Sequence, residues 1–327
     1  MSHSRLSLAV EDYGLSLPSD GRIAVFAPRV GYDLNALPRT QVHVVQHLKP
    51  DFDAFSDAGY EAAVVEDGTY KAAVVVLPRA KALARDLIAR ATACADLVIV
   101  DGQKTDGVDG LYKECRKRAE VLGSFAKSHG RLFWFEGGGF ADWQAGAPTK
   151  VAERFVTRPG VFSADGIDPA SKMLAEALPT KLGRVVADLG AGWGYLSSEM
   201  VARQAFDVLH LVEADHVALE CAKENLSDPR AQFHWADATN FKPGHRVDTV
   251  VMNPPFHTGR KAEPALGERF IRAAAKMLAP SGHLWMVANR HLPYEATLQD
   301  AFQSVEAVAG YTRFKVLHAQ RPTRTRG

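Results

Sequence analysis

The sequence predicts an α/β fold in two tandem domains, each built on a doubly wound parallel sheet. The chain has 327 residues, which is long for a single domain. In its first half, short apolar runs alternate with longer amphipathic stretches, as strands alternate with helices in βαβ units. The same alternation resumes after residue 160, where a strand leads into a glycine-rich turn.

The composition is that of an ordinary globular protein, with 46% hydrophobic and 24% charged residues and a net charge of +1. No apolar run approaches the roughly 20 residues of a membrane span. The first five residues lack the apolar core of a signal peptide. Cys94, Cys115 and Cys221 have no metal-ligand spacing and predict reduced thiols. We therefore expect a cytoplasmic protein with no metal and no membrane partner.

The first domain is predicted to span residues 1–140. Amphipathic spacing predicts helices over 81–95 and 110–128, the second carrying a basic run. The first strand is followed by Ala27-Pro28-Arg29-Val30-Gly31, which has no glycine cluster to let the backbone approach a ligand. Apolar, β-branched runs predict strands at residues 22–26, 42–45, 62–65, 72–77, 97–100 and 131–135.

A linker is predicted over residues 141–160. It follows three consecutive glycines at 137–139, which predict a flexible break. Trp143 within it is expected to pack between the domains. The second domain, residues 161–327, opens with Asp168 and Pro169, a favourable N-cap and first position for a helix.

Three strands of the second domain end in groups suited to ligand binding. The first, residues 185–189, precedes Gly190, Gly192 and Gly194, where no Cβ would hinder close approach of the backbone to a ligand. About 20 residues further on, a strand ends in Glu213, and an acid at this spacing commonly binds the ribose of an adenosine-containing cofactor. A third short strand precedes Asp237.

The fourth strand, residues 247–252, ends in Asn253-Pro254-Pro255-Phe256. Two prolines fix two φ angles and remove two backbone donors, so the carbonyls around them stay free. The Asn side chain adds one acceptor and two donors, and an aromatic ring follows. Such a segment can accept hydrogen bonds from an exocyclic amino group while the ring stacks on the base that carries it.

These segments resemble class I S-adenosylmethionine-dependent methyltransferases that modify guanine N2 in ribosomal RNA, the RsmC/RlmG family. The resemblance covers most of residues 160–320 and is only loose in the first half. It implies two tandem Rossmann-like methyltransferase domains, the N-terminal one degenerate and the C-terminal one catalytic. Asp101-Gly102-Gln103-Lys104 is expected to replace the Asn-Pro-Pro segment in the degenerate domain. The matching segments are 161–163, 165–168, 188–194, 253–257, 287–289, 292–294 and 313–316.

The resemblance implies S-adenosylmethionine as the cofactor. Asp188, Gly190 and Gly192 would bind its amino-acid end. Glu213 would bind the ribose hydroxyls and Asp237 the adenine amino group. Asn253 would border both the cofactor and the acceptor.

The implied acceptor is the exocyclic N2 amine of a guanine in ribosomal RNA, with a closer likeness to the members that act on 16S rRNA of the small subunit. Asn253 and the Pro254 carbonyl would align the amine, and Phe256 would stack on the base. Phe162 is expected either to cover the cofactor pocket or to lie in the core. The acid-free basic segment 313–327 is expected either to contact phosphates or to form a solvated terminus.

Other functions remain open at this point. The same motifs suit another planar amino group: a guanine of 23S rRNA, a DNA base or a protein glutamine. An NAD-dependent oxidoreductase also uses a glycine turn and a following acid, but it does not explain residues 253–256. A non-catalytic RNA-binding protein is the alternative of another class, against which the intact glycine loop and acids argue.

Overall fold

The structure is a computed structural model that describes residues 4–203, 205–255 and 264–323. The chain divides into two compact units, Met1–Pro148 and Thr149–Gly327. Each unit contains one seven-stranded sheet, and a separate two-stranded sheet lies in the second unit. The predicted α/β fold with two tandem Rossmann-like domains is confirmed.

In the N-terminal unit the sheet order is β3-β2-β1-β4-β5-β7-β6. The first five strands in that order run parallel, whereas β7 is antiparallel to β5 and to β6. Its helices are α1 (Arg5–Glu11), α2 (Lys49–Asp57), α3 (Lys81–Cys94) and α4 (Val108–Cys115). Its strands are β1 (Ile23–Phe26), β2 (Val42–Val45), β3 (Glu61–Ala63), β4 (Tyr70–Val76), β5 (Ala95–Gln103), β6 (Glu120–Lys127) and β7 (Gly130–Glu136).

The helix predicted over residues 110–128 is wrong in its second half. Helix α4 ends at Cys115, and Glu120–Lys127 is the edge strand β6. Gly123 in this strand lies under the Trp134 ring, where a Cβ would come within 2.1 Å of the ring. The sheet is therefore not parallel throughout, because β6 and β7 form an antiparallel pair at its edge.

The predicted linker contributes structure to both units. Trp143 is buried in the N-terminal unit, 5.1 Å from the Phe140 ring and 4.9 Å from the Arg118 guanidinium. Trp143 thus belongs to the hydrophobic core of the N-terminal unit. The expectation that it packs between the domains stays a prediction.

In the C-terminal unit the sheet order is β12-β11-β10-β13-β14-β16-β15, which repeats the order of the first unit strand for strand. The helices are α5 (Pro169–Ala177), α6 (Tyr195–Arg203), α7 (His216–Asn225), α8 (Pro264–Met277) and α9 (Tyr294–Ala301). The strands are β8 (Thr149–Val151), β9 (Phe155–Thr157), β10 (Val185–Leu189), β11 (Val208–Glu213), β12 (Ala231–Trp235), β13 (Val247–Met252), β14 (Leu278–Asn289), β15 (Phe302–Gly310) and β16 (Phe314–Pro322).

Most of the basic segment at residues 313–327 is not a solvated terminus. Residues 314–322 form β16, which lies between β14 and β15 in the sheet. Lys315 is buried, and its ammonium donates to the Leu292 carbonyl at 2.8 Å and to Glu295 at 2.6 Å. Residues 324–327 lie outside the described part of the chain.

The two units share details of their first loop as well as their strand order. In the C-terminal unit the Gly190 amide donates to the Val212 carbonyl at 2.8 Å. At the corresponding place in the N-terminal unit, the Ala27 amide donates to the Val45 carbonyl at 2.9 Å. Ala27 even keeps a left-handed φ of 53°. Both units therefore follow one chain path at this point.

The strand order also corrects one expected correspondence between the units. The Asn-Pro-Pro segment follows β13, whose counterpart in the N-terminal unit is β4. The segment after β4 is Leu77-Pro78, whereas Asp101–Lys104 begins within β5, the counterpart of β14. The expectation that Asp101–Lys104 replaces the Asn-Pro-Pro segment is therefore wrong.

Candidate active site

A cavity lies at the carboxyl ends of β10 and β13 in the C-terminal unit. These two strands are parallel neighbours, and the chain continues from β10 to strands on the opposite side before it returns as β13. Such a reversal of strand order opens a crevice at which α/β proteins commonly bind ligands. The cavity is lined by Phe162, Ser163, Asp168, Ser171, Gly190, Ala191, Gly192, Trp193, Tyr195, Leu196 and Asn253.

The glycine loop that forms one wall depends on left-handed backbone. Gly190, Gly192 and Gly194 have φ values of 75°, 56° and 89°, which L side chains rarely adopt. A Cβ added at Gly192 would meet none of the described residues within 4 Å. A ligand can therefore approach the peptide groups of this loop closely.

Glu213, at the end of β11, fastens the loop in place. Its carboxylate accepts from the Gly192 amide at 2.7 Å and from the Asp215 amide at 2.8 Å. Burial raises the pKa of Glu213 to about 7. The predicted contact with ribose hydroxyls stays a prediction. Each oxygen accepts one of these two bonds and has a second lone pair with which to accept another.

Asp188, at the end of β10, is a fully buried carboxyl group. One of its oxygens, Oδ2, accepts from the Ser197 hydroxyl of α6 at 2.7 Å. The other, Oδ1, has no hydrogen-bond partner among the described residues. Burial raises the pKa of Asp188 to about 7. An unpaired buried acceptor behind the glycine loop fits a ligand that brings a cationic or amino group.

Asp237 follows β12 and closes a local turn. Its carboxylate accepts from the Thr239 amide at 2.8 Å and from the Asn240 side-chain amide at 2.8 Å. The sequence did not reveal this turn. The predicted contact with an adenine amino group stays a prediction.

Asn253 follows β13 and also lines the cavity. Its Nδ2 donates to Asp168 Oδ2 at 3.0 Å and to the Ser171 hydroxyl at 2.8 Å. Because a carboxylate can only accept, these contacts identify the nitrogen of the amide. The oxygen, Asn253 Oδ1, is buried without a partner among the described residues. Pro254 is buried beside it, whereas Phe256 and His257 lie outside the described residues.

Asp168 and Ser171 belong to the first turn of α5. Asp168 is the N-cap that the sequence predicted, and it accepts from the Ser171 amide at 2.8 Å. Sequence reasoning missed the contacts of both side chains with Asn253. The two residues lie 85 and 82 positions from Asn253, so no local spacing could have indicated the contact.

Phe162 and Trp193 border the cavity in different ways. Phe162 is 60% exposed, so the alternative that it lies in the core is wrong, and its side chain is free to cover the cavity. Trp193 is bulky for a glycine loop, but its ring is buried against Phe155 of β9 and its Nε1 donates to the Phe162 carbonyl at 2.9 Å. The hairpin β8–β9 thus provides packing for one large side chain in a loop that otherwise consists of small residues.

Comparison with known proteins decides the family. The model of the methyltransferase small domain matches residues 152–318, more than half of the chain. The chain belongs to the methyltransferase small domain family. The glycine loop, Glu213, Asp237 and Asn253 all lie inside the matched region of this methyltransferase domain.

Individual relatives of this methyltransferase domain fall into the two groups that the motifs resemble. Ribosomal RNA small subunit methyltransferase C of Alteromonas mediterranea is 33% identical over 187 residues, 57% of this chain and 52% of the relative. Ribosomal RNA large subunit methyltransferase G of Ectopseudomonas mendocina is 34% identical over 177 residues, 53% of this chain and 47% of the relative. The chain spans about half the length of the curated relatives it matches.

One solved structure resembles both units. It is the 16S rRNA N2 methyltransferase RsmC of T. thermophilus, in complex with AdoMet and guanosine. The TM-score is 0.77 at 25% sequence identity, and the match covers 94% of this chain and 90% of that one. The resemblance to the RsmC/RlmG family is therefore confirmed.

Two further features of the chain concern membrane spans and metal sites. Among the described residues, no helix has the length and apolar character needed to cross a membrane. In the same part of the chain, no group of three or more His, Cys, Asp or Glu side chains is arranged to hold a metal ion. The expectation of a metal-independent protein stays a prediction.

Proposed function

We propose that this chain transfers a methyl group from S-adenosylmethionine to the exocyclic N2 amine of a guanine in ribosomal RNA. The observation that carries the proposal is Asn253 Oδ1, a buried acceptor with no partner among the described residues, at a cavity that the glycine loop also lines. An exocyclic amine is a donor of the kind that this acceptor lacks. The T. thermophilus relative, which was solved with AdoMet and guanosine, supports the same pair of ligands.

The glycine loop and the acids at the ends of its neighbouring strands suit the proposed cofactor. Asp188 Oδ1 has no donor in the part of the chain that the structure describes and suits the amino-acid end, and the backbone at Gly192 permits close approach. Glu213 would accept from the ribose hydroxyls and Asp237 from the adenine amino group. S-adenosylmethionine, when bound, supplies a methyl group already activated by its sulfonium.

On the acceptor side of the site, the protein would act by positioning the guanine amine. Asn253 Oδ1 and the Pro254 carbonyl would accept the two hydrogens of the guanine amine and so aim the nitrogen lone pair at the methyl group. Holding the reacting atoms in this geometry is the larger catalytic contribution. The bond from the nitrogen to the methyl carbon would form as the bond from that carbon to the sulfonium sulfur breaks, with S-adenosylhomocysteine as the leaving group. The nitrogen would then release a proton to solvent. Phe256 would stack on the base, which contributes about 1–3 kcal/mol.

The proposed substrate within ribosomal RNA is the 16S rRNA of the small subunit. It is supported by the match of both units to the T. thermophilus 16S rRNA enzyme and by the small-subunit methyltransferases among the relatives. Relatives named for the large subunit also match, so a guanine of 23S rRNA is the second candidate. The proposal places the reaction in the cytoplasm and gives the N-terminal unit a supporting role, in RNA binding or in stability.

Transfer of labelled methyl groups to isolated ribosomal subunits tests the proposal. The expected result is label in the small subunit, mapped to the N2 position of one guanine. Label in 23S rRNA would overturn the subunit assignment and leave the reaction standing. Label on DNA or protein only, or no transfer by a chain that binds RNA, would overturn the reaction itself.

A further inference from the structure

We infer that Asp168 and Ser171 are positioning residues that act through Asn253, and that together they hold its amide in the orientation that presents Oδ1 to the acceptor amine. This inference rests on the proposed function, because it assumes that Asn253 receives a guanine amine. Neither residue needs to touch the base. Both lie on the α5 side of the cavity and bond to the nitrogen end of the amide.

The chemistry of the partners makes this orientation the favoured one. If the amide were turned over, Asn253 Oδ1 would face the Asp168 carboxylate at about the present 3.0 Å, and two acceptors would repel each other. The turned amide would also present its NH₂ group to the guanine amine, which is itself a donor. The carboxylate therefore selects the one state of Asn253 that can accept from the substrate.

The Asp168 carboxylate also affects the strength of the acceptor. A hydrogen bond to an ionised group is roughly twice as strong as a neutral one, and bonds in series polarise one another. The bond from Nδ2 to Asp168 draws positive charge toward the nitrogen end of the amide, so Oδ1 becomes more negative. The guanine nitrogen gains positive charge as it bonds to the methyl carbon. A more negative Oδ1 thus stabilises the transition state more than the ground state.

The positioning pair is itself held rigidly. Asp168 accepts from the Ser171 amide at 2.8 Å as the N-cap of α5, and Pro169 begins the helix. The helix is anchored by Met173 and Leu174, which are buried in the core of the same unit. The orientation of Asn253 is therefore established before any substrate arrives, at no cost in reorganisation during the reaction.

Three variants separate positioning from folding. Asp168→Ser keeps a good N-cap residue and removes the carboxylate that bonds to Asn253. Asp168→Asn keeps the cap and a neutral acceptor. Ser171→Ala removes only the hydroxyl, because the backbone amide that bonds to Asp168 remains. Glu176→Gln, on the exposed side of the same helix, is the matched control.

The measurement is kcat for methyl transfer to ribosomal subunits at saturating S-adenosylmethionine. We expect a loss of about 10- to 100-fold for Asp168→Ser, a smaller loss for Asp168→Asn, and a loss of about 3- to 10-fold for Ser171→Ala. The urea midpoints of the variants and the kcat of the control should match those of the wild type. Wild-type kcat in all three variants, or a loss that only follows the urea midpoint, would overturn the inference.

A double-mutant cycle identifies the route of the effect. If Asp168 acts through Asn253, the single-turnover rate of the Asp168→Ser, Asn253→Ala pair should equal that of Asn253→Ala alone. Losses that multiply would contradict the inference. Wild-type transfer by Asn253→Ala would instead overturn the proposed acceptor site, whereas collapse in Asn253→Ala with full activity in the Asp168 variants would overturn only the positioning role.

Discussion

At the scale of single residues, the buried carboxyl group of Asp188 makes stability depend on pH. Burial penalises its charged form and raises its pKa from 3.8 to about 7. Between these two values the folded chain holds a proton that the unfolded chain releases. The contribution of this group to the free energy of unfolding is therefore fully present below pH 3.8 and is lost as the pH rises toward about 7.

Replacement of Asp188 by Asn should remove this dependence. The amide keeps the size of the side chain and an oxygen that can accept from the Ser197 hydroxyl, but it does not titrate. Urea unfolding of both proteins at a series of pH values measures the difference. The wild type should lose free energy of unfolding relative to Asp188→Asn as the pH rises from about 4 to about 7. Parallel profiles would show that Asp188 ionises as freely in the fold as in the unfolded chain.

At the scale of elements, the side chain of Asn225 links the hairpin β8–β9 to helix α7 and to the glycine loop. Asn225, at the end of α7, accepts from the Val156 amide at 2.6 Å and donates to the Val156 carbonyl at 2.9 Å. It also donates to the Trp193 carbonyl of the glycine loop at 2.8 Å. The hairpin, the helix and the loop are thus joined at one residue.

We expect Asn225→Ala to lower the free energy of unfolding by about 2–4 kcal/mol, because three backbone groups lose their partner. Chemical denaturation measures this loss. Lys223→Ala, on the exposed side of the same helix, should change stability by less than about 1 kcal/mol, since it loses only a surface ion pair. A similar small change in both variants would show that the hairpin does not depend on Asn225.

The elements differ in how much of them the sequence predicted. The buried strands β1, β2, β10 and β13 were predicted within a residue or two, because an apolar β-branched run suits only a strand covered on both faces. The edge strand β6 was predicted as helix, since its burial alternates weakly and its structure depends on pairing with β7. Non-local pairing of this kind leaves little trace in the local sequence.

The candidate site was likewise predictable from the sequence only in part. Asp188, Glu213 and Asn253 each follow or end a strand, and parallel strands bring their carboxyl ends to one edge, so their convergence was predictable. The bonds from Asn253 to Asp168 and Ser171 were not predictable, because they join residues 85 and 82 positions apart in the sequence.

At the scale of the whole molecule, two units with the same strand order carry different side chains where the second strand of the seven-stranded sheet ends. Gln46 of the N-terminal unit follows β2 as Glu213 ends β11, and it likewise accepts from an amide two residues on, that of Leu48, at 2.9 Å. Its Nε2, however, donates to the Pro28 carbonyl at 2.7 Å. At the corresponding place in the C-terminal unit, Glu213 instead accepts from the Gly192 amide. At this position the N-terminal unit therefore has the amide of Gln46 and not a carboxylate that could bind a ribose.

The full chain should therefore bind one S-adenosylmethionine, in the C-terminal unit. Titration calorimetry on the wild type should give a stoichiometry of one. Asp188→Ala and Glu213→Ala should each weaken binding by at least about tenfold, because each removes a hydrogen-bonding carboxyl group proposed to contact the cofactor. A stoichiometry of two, or normal binding by both variants, would contradict the assignment of the cofactor cavity.

The central claim, that Asn253 orients a guanine amine for methylation, is tested most directly by the single-turnover rate of Asn253→Ala on small ribosomal subunits at saturating S-adenosylmethionine. Saturation removes any difference in cofactor affinity, so the rate reports the transfer step alone. We predict that methyl transfer to guanine N2 collapses while the variant still binds the cofactor nearly as well as the wild type. A transfer rate close to that of the wild type would contradict the claim, because among the described residues Asn253 Oδ1 is the side-chain acceptor assigned to the amine.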